Sequence, residues 1–248
     1  MSARWKHVRG LVCVGVIAVI VLLAGVPNSA NPLQAAQPAV PKIEGTIWSA
    51  EQSNGHKYVF QFRKGGILCY TSPTGYFENG TWRQKAKSIY METNKRFSER
   101  TGVLAGNRIE RGTGKNVKKE QWTWTATQIG VISEEPSARL DNTIWRIVES
   151  DGDHYLFEFR GGTTPGQGVL YYTSPMGYYD NGTWKQDGQS VYVETNKRFS
   201  ERDGKLVNNA IEGTGKNTKG ERWSWKAVKI GNAVEQPGAV KAAPAPRF

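Results

Sequence analysis

Cysteine is almost missing from this chain: Cys13 lies in an apolar N-terminal run, and Cys69 is the other. With so few thiols the mature chain closes no internal disulfide and builds no thiolate zinc site. An alternating apolar strand surrounds Cys69, which predicts a buried, inert thiol rather than a nucleophile. Histidine is equally scarce. Beyond His7 there are only His56 and His154, which stand one register apart in the two repeats described below and are too few for a zinc centre. No segment after the N-terminal run shows a helical period, and the GTGKN segments at 112 and 213 lack the strand-loop-helix setting of a phosphate-binding loop. They are read as turns, and no cofactor or metal is expected.

What is present describes a folded, turn-rich protein. The 248 residues are 38% hydrophobic and 22% charged, with 28 Gly and 9 Trp, which excludes a disordered or collagen-like chain. Arg4, Lys6 and Arg9 precede an uncharged stretch from Leu11 to Val26, which Pro27, Asn28, Ser29 and Ala30 end. That order of basic, apolar and small residues predicts export, by a cleaved signal or an uncleaved anchor helix over 1–30. The rest of the chain is then secreted or periplasmic, or held outside the cytoplasm by that segment. Residues 31–42 and 232–248 are rich in Ala and Pro and read as a spacer and a disordered tail.

Between them the chain is duplicated. GTIWSAEQSNGHKYVFQFR (45–63) returns as NTIWRIVESDGDHYLFEFR (142–160), YTSPTGYFENGTW (70–82) as YTSPMGYYDNGTW (172–184), and ETNKRFSER is identical at 92–100 and 194–202. Within each unit the period is two: Tyr58, Phe60 and Phe62 alternate with Val59, Gln61 and Arg63, as Tyr155, Phe157 and Phe159 do with Leu156, Glu158 and Arg160. Such alternation marks half-buried strands with the aromatic face inward. Further runs, split by SPTG, ENG, KAK, LAGN and GTGKN, predict an all-β fold. It consists of two tandem antiparallel meander barrels of about eight short strands each, over 43–131 and 139–231, joined by a linker at 132–138. Asn79-Gly80 and Asn181-Gly182 match a glycosylation sequon, but are read as turns.

Each unit opens on Gly45-Thr46-Ile47-Trp48 or Asn142-Thr143-Ile144-Trp145 and continues as a meander. In this it resembles the calycin-type barrels, lipocalins and avidins among them, and also the Trp-rich β repeats of exported bacterial proteins of unknown function. The lipocalin likeness implies a basic residue packed on the first-strand Trp, for which Lys226 or Lys229 stands available in the second unit and Gln128 stands opposite in the first. It also implies an apolar ligand site inside the barrel.

The candidate ligand-binding residues follow from these patterns. Trp48, Tyr58 and Trp124, with Trp145, Tyr155 and Trp225 in the second unit, either fill the interior or line a pocket at an open end. Tyr90, Glu92 and Asn94 share one strand face, and Tyr192, Glu194 and Asn196 repeat it. If that face is inward, a carboxylate and an amide line the barrel mouth. If Met91, Val191 and Val193 are inward instead, Glu92 is a solvated residue beside Arg83 or Lys95, and this is the favoured reading. Charge divides unevenly. Residues 43–130 carry 14 Lys and Arg against 7 Asp and Glu, whereas 140–231 carry 12 of each. The basic face of the first unit reads first as a solvated surface that keeps the protein soluble; as a binding face it suits anionic lipid or envelope polymer, with nucleic acid least expected after export. The expected function is an exported, non-catalytic binding or adhesion module for a glycan, envelope polymer or small molecule. The alternative is a carrier of a small apolar ligand, and third comes a hydrolase of an envelope polymer using Glu92 with Glu99.

Overall fold

The computed structural model describes residues 41–72, 74–174 and 177–235. The expected export segment and the tail beyond 235 lie outside the described residues, but the first tail residues, Asn232 and Ala233, are not disordered: they continue the last strand. Among the described residues sixteen antiparallel strands form two closed rings. The first runs β1 Thr46–Gln52, β2 Lys57–Arg63, β3 Ile67–Ser72, β4 Gly75–Lys85, β5 Ser88–Thr93, β6 Ser98–Ala105, β7 Arg108–Asn116 and β8 Gln121–Ile132, and β1 pairs back onto β8. The second runs β9 Thr143–Glu149, β10 His154–Gly161, β11 Gln167–Ser174, β12 Gly177–Asp187, β13 Ser190–Thr195, β14 Ser200–Val207, β15 Ala210–Asn217 and β16 Arg222–Ala233, closed by β9 on β16. Closure leaves neither meander an open edge.

Period two decides what lies inside. In β1 and β2 the cross-strand pair Trp48 and Phe60, with Phe62, packs against Leu68, Met91, Ile109 and Trp124. Trp145, Phe157, Phe159, Leu170, Val193, Ile211 and Trp225 repeat the arrangement in the second ring. Both GTGKN segments are strand, not turn: Gly112 and Gly114 belong to β7, and Gly213 and Gly215 to β15. A Cβ at Gly112 would lie 2.7 Å from Trp124 Nε1, and one at Gly114 would overlap the Trp122 ring. The glycines are therefore the floor on which the tryptophans rest, and the turn falls after Asn116. The Asn-Gly pairs also differ from expectation. Asn79-Gly80 and Asn181-Gly182 sit within β4 and β12 beside register shifts, so they are bulges in continuous strands.

The outward faces of β1, β2, β8, β9, β10 and β16 do not all meet water. Ile47, Val59 and Ile129 form a third buried cluster with Ile144, Leu156 and Ile230, which occupy the equivalent places in the other repeat. At its edge β8 pairs with β16, and Val131 lies directly opposite its own counterpart Asn232. Gly130 and Gly231 flank that crossing. A Cβ on Gly130 would overlap Ile144, and one on Gly231 would approach Ile47 to 2.6 Å. This seam also buries Gln61 completely and leaves Glu158 only 1% exposed. Glu158 is ion-paired with Arg160 and accepts a hydrogen bond from the Tyr178 hydroxyl. Burial pushes the carboxyl up, opposed by the Arg160 charge. Across the seam the Arg146 guanidinium covers the Tyr76 ring at 4.8 Å. Cys69 is buried beside Tyr76, and desolvation raises its thiol, in keeping with an inert side chain.

Candidate functional site

The residues singled out from the sequence fall in three separate places. Trp48, Trp124, Trp145 and Trp225 are at most 3% exposed. Phe60 meets Trp124 edge-on at 6.1 Å between ring centroids, and Phe159 meets Trp145 at 6.5 Å. Nε1 of Trp124 donates to the carbonyls of Thr101 (3.0 Å) and Thr113 (3.2 Å), and Trp48 Nε1 donates to Thr46 Oγ1 at 2.6 Å. Both polar handles are thus used internally, and these tryptophans are core filling rather than pocket walls. The register sets Lys229 opposite Trp145 and Gln128 opposite Trp48, while Lys226 points outward to Glu212 at 2.9 Å.

Tyr58 and Tyr155 are half-buried at one end of their barrels, where each meets an arginine that the sequence reading did not single out. Arg100, on the inward face of β6, is 2% exposed. Its guanidinium lies over Tyr58 (4.9 Å), Trp122 (5.2 Å) and Phe60 (5.7 Å), and donates to Thr93 Oγ1 at 2.9 Å. Arg202 repeats this against Tyr155, Trp223 and Phe157, with Thr195 at 3.1 Å. The two differ in their acceptor. Arg202 Nε lies 2.6 Å from Glu149 Oε1, whereas Gln52 holds that place in the first barrel. With its amide oxygen turned toward the guanidinium, Gln52 accepts from Arg100 Nε (3.1 Å), Arg100 Nη2 (2.8 Å) and Trp122 Nε1 (3.2 Å). Desolvation lowers the Arg100 pKa, countered by the neighbouring tyrosines. The signal was legible in strand parity: Arg100 shares its phase with the inward Gly102 and Leu104.

The third place is the outer surface. Met91, Val191 and Val193 are inward, so Tyr90, Glu92, Tyr192 and Glu194 face out. The Tyr90 hydroxyl donates to Glu92 Oε1 at 2.8 Å, and Arg96 Nε donates to Glu92 Oε2 at 3.0 Å. The partner of Glu92 is therefore Arg96, not Arg83 or Lys95, and Arg83 instead covers the Tyr90 ring at 4.2 Å. Desolvation raises the Glu92 carboxyl, but the Arg96 and Tyr90 hydrogen bonds outweigh it and leave the group below its ordinary range. Glu99 lies cross-strand from Glu92 and is paired with Lys115 at 3.3 Å. The second barrel repeats the network with Tyr192, Glu194, Arg198, Glu201 and Lys216. Both carboxylates of each pair are thus engaged by cations.

Asn94 and Asn196 lie in the hairpin turns that follow these glutamates, between β5 and β6 and between β13 and β14. Each opens a left-handed turn, Asn94-Lys95-Arg96 at φ 51, 52 and 71° and Asn196-Lys197-Arg198 at 53, 53 and 69°. Left-handed backbone disfavours L-residues by about 1–2 kcal/mol each, Asn least. A buried tyrosine holds the turn. Tyr70 Oη accepts from Asn94 N at 2.9 Å and donates to Asn79 Oδ1 at 2.9 Å, and Tyr172 does the same for Asn196 and Asn181.

Among the described residues the concavities set out by this arrangement are open grooves on the outer faces. One crosses β4 to β7 beside Tyr90, with Arg83, Lys85, Ser88, Thr101 and Arg111 along it. Its counterpart crosses β12 to β15 beside Tyr192, with Lys185, Asp187, Asp203 and Lys205. Among the described residues no group of three or more His, Cys, Asp or Glu could hold a metal ion, and His56 and His154 stand in separate barrels.

No family model matches the chain, and no curated protein matches it. A solved structure with some similarity is the crystal structure of HpuA from Kingella denitrificans in complex with human haemoglobin. It is 10% identical, with a TM-score of 0.24, over 80% of this chain and 92% of that one. At that score the likeness carries no argument, and the eight-stranded barrel rests on the strand pairing of the chain itself.

Proposed function

We propose that the chain is an exported, non-catalytic binding module that takes its ligand on the outer faces of its barrels. One observation carries the reading: both interiors are filled by aromatic side chains, while the same four-strand face of each barrel presents a groove beside an outward tyrosine. A packed interior with grooves outside it suits a polar, extended ligand such as a glycan or envelope polymer. The carrier of a small apolar ligand is the weaker reading, because its walls would be Trp48 and Trp124, which are already in contact with their neighbours. Hydrolysis by Glu92 and Glu99 is weaker still, since both are neutralised by Arg96 and Lys115. Kinship with calycin barrels is supported by the closed eight-stranded meander and by Lys229 opposite Trp145.

A glycan and lipid array probed with the full chain tests the reading. A glycan hit weakened by Tyr90→Ala or Tyr192→Ala, with the melting temperature kept, supports it. A hit by an apolar ligand that quenches the buried tryptophans and ignores both substitutions refutes it.

A further inference from the structure

The two grooves began as copies and now differ in charge, and the difference centres on a single inserted residue. Ile109, Glu110, Gly112 and Thr113 of β7 correspond to Ile211, Glu212, Gly213 and Thr214 of β15, so Arg111 has no counterpart. It is accommodated as a bulge. The register of β7 shifts against both β6 and β8 around it, whereas β15 pairs with both neighbours without a shift. Arg111 adopts φ 52°, a conformation that an arginine gains nothing from locally. Its effect is to place a third cation on the groove that already carries Arg83 and Lys85. No carboxylate lies along this groove, and among the described residues none of the three cations has an ion pair within 4 Å. In the second groove Asp187 stands where the first has Lys85, and Asp203 where it has Thr101, so that Lys185 and Lys205 are balanced by acids.

We infer that the β4–β7 groove of the first barrel binds a polysaccharide bearing carboxylate or sulfate groups, with Arg111 as the residue that sets it apart from the second. This rests on the binding-module reading and names its ligand class. Three exposed cations gathered along one groove with no carboxylate among its lining residues attract polyanions more than the same charges spread over a surface. Ser88 and Thr101 supply hydroxyls for the sugar. A single-stranded nucleic acid would need exposed rings on which bases stack, and the one ring here, Tyr90, is covered by Arg83. A planar membrane would not enter the channel.

The test uses the full chain with heparin, polygalacturonate, neutral dextran and single-stranded DNA as probes. Heparin and polygalacturonate bind, and the binding weakens as salt rises. Arg83→Gln/Lys85→Gln/Arg111→Gln lowers that affinity about tenfold or more, while Lys64→Gln/Lys118→Gln/Lys119→Gln, the same charge removed elsewhere, lowers it under about threefold. Deleting Arg111 alone weakens binding, and Asp187→Lys/Asp203→Thr adds a second binding equivalent. Lys85→Asp, a residue the second barrel already carries at this place, serves if the triple variant does not fold. Equal losses from the two triple variants, or tighter binding of DNA through the same residues, would overturn the inference. Tyr90- and Tyr192-dependent binding of dextran would overturn it and leave the binding module standing. Failure of all four probes would overturn the inference and leave the binding module to the glycan and lipid array.

Discussion

The paired barrels contain their own control for a buried charge, and Glu149 is the place to use it. Arg202 is 3% exposed, and among the described residues its carboxylate partner is Glu149 at 2.6 Å. Glu149→Ala leaves the guanidinium buried and without its anion, a change that costs about 3–5 kcal/mol. Glu149→Gln reproduces the Gln52 arrangement, in which one amide oxygen takes both guanidinium contacts and the indole N–H. Each recovered hydrogen bond is worth about 1 kcal/mol, so the glutamine variant should lose only about 1–2 kcal/mol. For a barrel of this size the melting temperature moves about 4–8 °C per kcal/mol. Calorimetry should therefore show the alanine variant melting more than about 12 °C below the parent, and the glutamine variant falling by about half that or less. Gln52→Ala should in turn cost the first barrel more than Glu149→Gln costs the second. Equal damage from the alanine and glutamine substitutions at 149 would refute the argument, because it would mean that the Gln52 amide does not support Arg100.

Trp124→Ala removes a buried indole and both of its hydrogen bonds and should cost about 3–5 kcal/mol, unfolding the first barrel while hydrogen exchange in β11 to β14 stays protected. An unchanged melting temperature would move Trp124 from the core to the surface. Stability should also depend on pH at both ends. Glu92 and Glu201 are held below the ordinary carboxylate range, by the Arg96 and Tyr90 hydrogen bonds for Glu92 and by Lys216 and Tyr192 for Glu201. Their contribution is present above that range and is lost as pH falls through the folded values. The Tyr90 hydroxyl is pushed up to about 12 by burial and by Glu92, so its contribution is intact below 10 and lost as pH rises from 10 toward 12. A melting temperature flat from pH 3 to 7 and from 9 to 12 would exclude these groups. Residues 43–131 and 139–231, expressed separately, should each melt cooperatively but below the whole chain, because each exposes half of the seam. Halves that stay unfolded would show that the seam is part of one shared core.

How much the sequence shows depends on where the covering atoms come from. Tyr58, Phe60 and Phe62 are covered by their own barrel, within about 70 residues, and simple alternation finds them. Val59 is covered by Ile144 and Leu156, nearly a hundred residues on, and nothing local marks its face as buried. The apolar outward positions Ile47, Val59 and Ile129 were the available hint. Glycine misled in GTGKN because a turn and a surface for an indole both need a missing side chain. Arg100 escaped notice because an arginine in a strand is ordinarily solvent-facing, and here a ring of aromatics and one amide replace the water. The outward placement of Tyr90 and Glu92 followed from the inward Met91, but the partner of Glu92 did not, since the left-handed turn that brings Arg96 back is set by Tyr70, more than twenty residues earlier.

The seam has a further meaning when its members are taken in pairs. Ile47 with Ile144, Val59 with Leu156, Ile129 with Ile230 and Gly130 with Gly231 are each one position seen twice, and Val131 faces its own equivalent. A patch that meets itself in this way is the isologous contact of a twofold homodimer. The tandem chain thus has the form of such a dimer made covalent, with the ten residues between β8 and β9 holding the second copy at a high effective concentration. Fusion also releases the symmetry constraint. In a true homodimer a charge gained by one groove is gained by both, whereas here Arg111 could enter one copy, and Glu158 could replace or be replaced by Gln61, without a matching change across the axis.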